Sequence, residues 1–402
     1  MRKATLIAAL FLLTPTVSQA KTLEELLVEK GVITKGEAAG STSAAASKVY
    51  WNNGTRVDFP DTGFTTTIAT QLQTRYTFAD NDEGVGQVNT SSFDVHRARL
   101  IVSGTALNKE FSYRLSTDFV GGTDTDNPDS PAVRDAYIQW QPCLDDLGVR
   151  LGAFKTGISR QFNTDQSALQ FVDRSTASEY FTLGRQNGAA LMKTFADGMI
   201  EASAAIFNGS SDGEGPNLSG TDTLHTGVAS VRVNPMGKMN AYEEGDLDYT
   251  EDTALSLGAA YAYGDATNAG LGNETNTINV DANLKSNGLS LSGEYFHQNV
   301  NPDEGSDVSP SGFYAQAGYF LTPKKLELAA RYGYTDCDNG KASGVCAGYD
   351  SISEAAATIN YFFWRNSLKA QLGYSHQASD LTDTSASDVK NNKYVFQLSS
   401  YF

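Results

Sequence analysis

From Gly63 to the C-terminus the chain repeats one pattern, in which apolar and polar residues alternate with a period of two. That period puts successive side chains on opposite faces of a strand, so each segment presents one apolar and one polar face. The plainest case is Asn276 to Lys285, where Ile278, Val280, Ala282 and Leu284 oppose Thr277, Asn279, Asp281, Asn283 and Lys285. In the first segment Phe64, Ile68, Leu72, Tyr76 and Phe78 share one parity, and Gln71, Gln73, Arg75 and Thr77 the other. Ala98, Leu100 and Val102 are set against Arg97 and Arg99 in the same way. Phe111, Tyr113, Leu115 and Phe119 are set against Glu110, Ser112, Arg114, Ser116 and Asp118. Candidates near 133–141, 148–156, 186–195, 199–208, 223–234, 253–263, 289–298, 311–321, 325–335, 351–363, 367–376 and 392–402 bring the count to sixteen.

Such strands also suit a soluble sandwich or solenoid, and the connections separate the readings. Short links at 106–108, 196–197, 286–288, 322–324 and 364–366 alternate with long polar ones near 79–92, 120–132, 157–185, 209–222, 264–275, 299–310, 336–350 and 377–391. Outer-membrane barrels alternate short periplasmic turns with long outer loops, whereas a sandwich has no reason to. One link breaks the rule: 235–252 falls where a short turn is expected, yet it is long and acidic. The last strand carries Tyr394, Phe396, Leu398, Ser400 and Phe402 on one face and ends on an aromatic residue, as barrels recognised by the outer-membrane assembly machinery do.

The N-terminus agrees. Arg2 and Lys3 precede an apolar run from Ala4 to Leu13, and Ser18-Gln19-Ala20 offers a cleavage site, so residues 1–20 read as a signal peptide. No later segment approaches the roughly 20 apolar residues of a membrane helix, so insertion must use strands. Residues 21–49 read as a periplasmic extension. Leu23, Leu26 and Leu27 give a helical face, Thr34 and Glu37 a capping box, and 38–47 a flexible linker. Residues 50–402 form the barrel. With 37 Gly, 19 Tyr and 20 Phe against 10 Pro, the composition suits strands, turns and aromatic girdles. The expected fold is all-β: a closed 16-stranded antiparallel transmembrane β-barrel with a short N-terminal helical extension.

Phe93 to Phe119, with its Arg97-Ala98-Arg99-Leu100 core, carries a family resemblance. Val133-Arg134-Asp135-Ala136-Tyr137, Val149-Arg150-Leu151-Gly152-Ala153-Phe154-Lys155, Phe171-Val172-Asp173-Arg174-Ser175 and the Gly31-Val32-Ile33-Thr34 leader extend it. Together they resemble the phosphate-selective porin O and P family, most strongly over residues 93–185. The resemblance implies an outer-membrane porin that trimerises, with the third outer loop folded into each lumen and arginines and lysines along the path. A guanidinium offers a planar fork of donors that matches phosphate oxygens at a narrow point. The candidates of lumen parity are Arg75, Arg97, Arg99, Arg114, Arg150, Arg232 and Arg331, while Arg160, Arg174 and Arg185 lie in or beside the third loop. Arg97, Arg99 and Arg114 are expected to cluster on adjacent strands.

Charge pulls the other way. The net charge is -17, and much of the acid sits in outer loops: Asp80, Asp82, Glu83, Asp124, Asp126, Asp129, Asp212, Glu214, Asp303, Glu304, Asp307, Asp380, Asp383 and Asp388. Such loops suit contact with divalent cations and lipopolysaccharide as well as outer-membrane lipid. Glu110, Asp118, Asp135, Asp281, Glu294, Glu327 and Glu354 share lumen parity with the arginines. Opposed charges of this kind weaken anion preference, so the expectation is passive diffusion of small hydrophilic solutes with a weak preference for anions such as phosphate. A non-selective or cation-preferring general pore and a non-conducting surface barrel remain the alternatives. The paired reading of the arginines, as strand charges neutralised by neighbouring acids, stands beside the anion-binding one.

No catalytic, metal or cofactor site is expected. Four His occur, at 96, 225, 297 and 376, and the one acid–His pairing, Asp94 with His96, lacks a nucleophile motif. Neither a phosphate-binding loop nor a basic surface points to nucleotides or nucleic acid. Cys337 and Cys346 fall in one outer loop, where an oxidising compartment permits a disulfide, though spacing alone leaves free thiols open. Cys143 lies in a turn and is expected to stay free.

Overall fold

The computed structural model describes residues 28–31, 47–81, 88–120, 132–142, 146–209, 221–223, 225–268, 271–338, 340–342, 346–382 and 388–402. The signal-peptide, leader and linker expectations therefore lie outside the described residues, apart from a turn at 28–31 closed by Gly31 N–H donating to the Val28 carbonyl at 3.0 Å. Cys143 and eight of the outer-loop acids (Asp82, Glu83, Asp124, Asp126, Asp129, Asp212, Glu214 and Asp383) lie outside as well.

The described strands within residues 47–402 form one antiparallel sheet. A hairpin of β1 (Lys48–Trp51) and β2 (Thr55–Phe59) comes first. The barrel begins with β3 (Phe64–Asp80), β4 (Thr90–Ala106), β5 (Phe111–Asp118), β6 (Ala132–Trp140), β7 (Leu147–Lys155), β8 (Arg185–Phe195) and β9 (Ile200–Phe207). A three-residue strand, β10 (Thr221–Thr223), precedes β11 (Thr226–Met236), β12 (Ala254–Asn268), β13 (Leu271–Ser286) and β14 (Leu289–Pro302). Then follow β15 (Ser311–Thr322), β16 (Leu326–Asp336), β17 (Tyr349–Trp364), β18 (Leu368–Leu381) and β19 (Val389–Tyr401). Leaving aside β1, β2 and β10, sixteen strands pair each with the next, and β19 closes on β3 with Tyr394 opposite Phe78 and Phe396 opposite Tyr76. The closed 16-stranded antiparallel barrel read from the alternation is thus the fold.

The two faces sort as a bilayer demands. Ile68, Leu72, Leu100, Leu115, Val280, Leu372 and Phe396 point outward and are exposed, while Gln71, Gln73, Arg99, Asp118, Asn279 and Gln397 point inward and are buried. An open sheet edge in hydrocarbon would leave unpaired backbone groups, and closure removes it.

Three expectations need correction. The polar stretch 264–275 is not a long loop: β12 and β13 run to Asn268 and from Leu271, because water-facing residues still pair across an extended hairpin. Glu110 is not in the lumen; it sits exposed in the turn after Ala106, where its N–H bonds the Leu107 carbonyl at 3.1 Å. Residues 48–59, unassigned by the alternation, form the β1–β2 hairpin on an Asn52-Asn53-Gly54 turn and pair with the lower part of β3. That turn signal is readable in the sequence.

At Gly152 β7 comes close to β6: φ is +129° and a Cβ would lie 2.2 Å from the Ala136 carbonyl oxygen. Gly152→Val should therefore cost about 1–3 kcal/mol through strain, read as a lower urea midpoint for loss of heat-modifiable gel mobility. An unchanged midpoint would show that β6 and β7 need no such approach.

Candidate pore and constriction

The longest described link between barrel strands, 156–184, turns into the lumen. It folds as a chain of capped turns. Ser159 caps α1 (Arg160–Asn163), Asp165 caps a 3-10 turn at Gln166–Ala168, and Ser175 caps α2 (Thr176–Phe181), each oxygen accepting from an N–H that the turn itself leaves unpaired. Two wall carboxylates hold these turns in place. Glu294 on β14 accepts from the N–H of Arg160 (3.0 Å) and Gln161 (2.6 Å), from the Tyr314 hydroxyl (2.7 Å) and from Asn279 Nδ2 (3.0 Å). Glu354 on β17 accepts from Thr176 N–H and hydroxyl, both at 2.8 Å, and from the Arg331 guanidinium. Phe181 stacks on Phe296 at 5.3 Å, and Phe171 packs between Ala329 and Ala356. Lys369 Nζ and Asn360 Nδ2 reach the carbonyls of Leu169 (2.6 Å) and Gln170 (2.9 Å). The loop thus fills the side of the lumen bounded by β14 to β19.

The exceptional link, 237–253, enters the lumen as well and meets this loop. Glu244 is fully buried; it accepts from Gln170 N–H (2.7 Å) and Gln161 Nε2 (2.8 Å), while its own N–H donates to Ala168 (3.2 Å). Leu247 packs with Phe320 and Phe362, and Asp246 accepts from Thr250 N–H and Gly288 N–H. The long acidic link that breaks the alternation of short and long connections is an inward tether. Burial raises the Glu243 carboxyl above its ordinary range, against the pull of Lys285.

On the opposite side a cavity of about 640 Å³ remains, lined by inward residues of β5 to β9 and β11 to β13. Its inward charged lining comprises five basic residues, Arg114, Arg150, Lys155, Arg185 and Arg232, and five acidic ones, Asp135, Asp146, Asp165, Glu201 and Asp281, while Lys193 shares the outward face of β8 with Leu191 and Phe195. Burial opposes ionisation of Asp165, but the Lys155 ammonium and the Ser167 N–H outweigh it and hold the carboxyl at about 2.

The ten candidate arginines divide by partner. Arg75 pairs with Asp173 (2.8 Å), Arg99 with Asp118 (2.6 Å), Arg174 with Glu179 (3.2 Å), and Arg331 with Glu354. Arg331 and Arg75 also bond loop carbonyls, at Asp173, Arg174 and Val172, so they brace the loop. Arg174 reaches the carbonyls of Gln161, Phe162 and Thr164 from within it. Arg160 and Arg232 share Asp281, at 3.4 and 2.9 Å, and Arg114 and Arg185 share Asp135, at 3.5 and 3.0 Å. Arg97 bonds Gln73 Oε1 at 2.8 Å, and Arg150 bonds Gln139 Oε1 through two nitrogens, at 3.1 and 2.7 Å. Arg97, Arg99 and Arg114 do not form one cluster. Arg99 stands opposite Asp118, but Arg114 stands opposite Ser103, four residues further along β4.

The profile of the phosphate-selective porin O and P family matches residues 68–402. The chain belongs to that family. It is an outer-membrane porin with an apolar outward belt. Among solved structures the porin is similar to the outer-membrane channel DcaP of Acinetobacter baumannii, with TM-score 0.60, 13% identity, and 85% of this chain and 98% of that one covered. It is also similar to an anion-selective porin from Comamonas acidovorans, with TM-score 0.57, 13% identity, and 84% and 100% covered. OmpT of Vibrio cholerae in its trimer form gives 0.56, 12%, 84% and 99%. At these identities the likeness is one of fold. No curated protein sequence matches the porin.

Above the porin's constriction Cys337 and Cys346 are bonded, and the ring they close packs with Ile352 against Tyr180 of α2 and Val308. Sequence reasoning missed Glu244, Gln161, Gln170 and Tyr242. The glutamines and Tyr242 sit outside any alternating strand, so no parity argument reaches them. The anomalous length of 237–253 was the one signal for Glu244.

Replacing residues 160–181 of the porin by a short Gly-Ser linker should raise single-channel conductance severalfold. Unchanged conductance would mean that the loop does not narrow the path.

Proposed function

We propose that this porin conducts small hydrophilic solutes along the β5–β13 side of its lumen, and that it favours anions over cations without strict specificity for phosphate. The observation that carries this reading is how acids and bases are shared along the open side. Asp135 serves two arginines, Arg114 and Arg185, and Arg150 is held by a neutral amide, so fixed positive charge is left over where solute passes. The cavity lining balances five inward basic residues against five acidic ones, in a chain whose net charge is -17. Charges of the outer loops act on the constriction only through salt solution, which screens them over about 8 Å at physiological ionic strength. The name of the Comamonas acidovorans porin, anion-selective, supports the same preference on the same fold.

A homotrimer fits the trimer form of the OmpT likeness, and the lipid-facing belt suits lipid and lipopolysaccharide as surroundings. We assign no catalytic role. His96 Nδ1 lies 3.5 Å from Asp94, a pair that a hydroxyl nucleophile would have to complete.

Reversal potentials in a salt gradient test the charge argument in both directions. Arg114→Gln with Arg185→Gln leaves Asp135 alone and should move the potential toward cation preference, whereas Asp135→Asn should move it toward stronger anion preference. Equal potentials in all three proteins would remove the reading and leave a general diffusion pore.

A further inference from the structure

The open side of the lumen exposes aromatic surface that bare inorganic ions do not need. Tyr242, on the inward link, is 38% exposed and faces the cavity, with the Arg232 guanidinium 5.3 Å from its ring centroid. Tyr137 lines the same cavity, half-buried, with the Arg150 guanidinium 4.3 Å above its ring and Phe154 meeting it at 6.2 Å and 78°. Short side chains, Ser203, Ala205, Ser230 and Ala260, keep the space beside these rings open. Arg150 is fixed in plane by Gln139 Oε1 and by the two rings. No carboxylate of the described residues lies within 4 Å of it. A neutral acceptor orients a guanidinium without cancelling its charge, so the fork stays ready for an incoming carboxylate.

We infer that this side of the lumen holds a binding subsite for organic anions that join a carboxylate to a planar or apolar group. Arg150 takes the carboxylate, and the faces of Tyr137 and Tyr242 take the ring. The subsite rests on the anion-conducting reading above and adds a solute class to it. The 640 Å³ cavity lies within the range of small-molecule sites, about 300–1,000 Å³, and sets the faces of Tyr137 and Tyr242 among charged and polar groups. Chloride gains only the charge there and inorganic phosphate the charge and the donor fork, whereas an aromatic carboxylate gains the ring contacts as well.

Benzoate and acetate carry the same charged group and differ in the ring. Each is added at equal concentration to the full-length mature porin in a planar bilayer, and interruptions of the potassium chloride current are recorded. Benzoate should interrupt the current and acetate should not. Tyr242→Ala should weaken the benzoate effect by about three- to tenfold, the worth of one aromatic contact. Arg150→Gln should abolish it, and Arg150→Lys, which keeps the charge without the planar fork, should retain part. Benzoate and acetate acting alike on the wild type would overturn the subsite, as would a benzoate effect unchanged in both Tyr242→Ala and Arg150→Gln. A wild type that prefers anions in a salt gradient yet ignores benzoate sinks the subsite alone. One that prefers cations sinks the anion reading with it.

Discussion

Everything in this molecule follows from the ban on unpaired backbone groups in hydrocarbon. The ban is met at one seam, where β19 pairs with β3 and the last residue, Phe402, exchanges N–H and carbonyl bonds with Thr70. Below that point β2 takes over the edge of β3, so the column that β19 leaves is continued by the N-terminal hairpin. The amphipathic strand is the local consequence: Leu72 and Phe396 meet lipid because Gln71 and Gln397 on the same strands must meet the interior.

Closure with sixteen strands creates a second problem, since a barrel of that size encloses more space than strand side chains fill. The chain answers it on one side only. The loop 156–184 is bound to β14–β19 by carboxylates and arginines whose desolvation is offset by dense hydrogen bonding. Removing one partner from a buried pair such as Arg331–Glu354 would cost about 3–5 kcal/mol. Eight of the ten candidate arginines stand in ion pairs. What remains for transport lies opposite, where Arg114, Arg150 and Arg185 outnumber the carboxylate between them.

Strand count, closure and facing were legible in the sequence because each repeats or follows from period two, whereas the inward third loop was read from the family resemblance. Residues 264–275 misled because polarity reports contact with water, not loss of pairing. Glu110 misled because parity has no meaning once the strand has ended at Ala106. Partners were not legible at all. That Asp135 serves two arginines depends on Arg185 arriving from the far end of a loop, and that Glu244 meets Gln170 depends on two links entering the lumen from opposite ends. Such meetings are set by tertiary packing and leave no local signal.

On this structure solutes are expected to pass on one side of the lumen. Single cysteines in a Cys143→Ser background, labelled with a charged thiol reagent during single-channel recording, test it most directly. Ser230→Cys lies on the open side and Gln397→Cys on the filled side. The reagent should cut current at Ser230→Cys and leave Gln397→Cys unaffected. Current cut at Gln397→Cys with none lost at Ser230→Cys would contradict it.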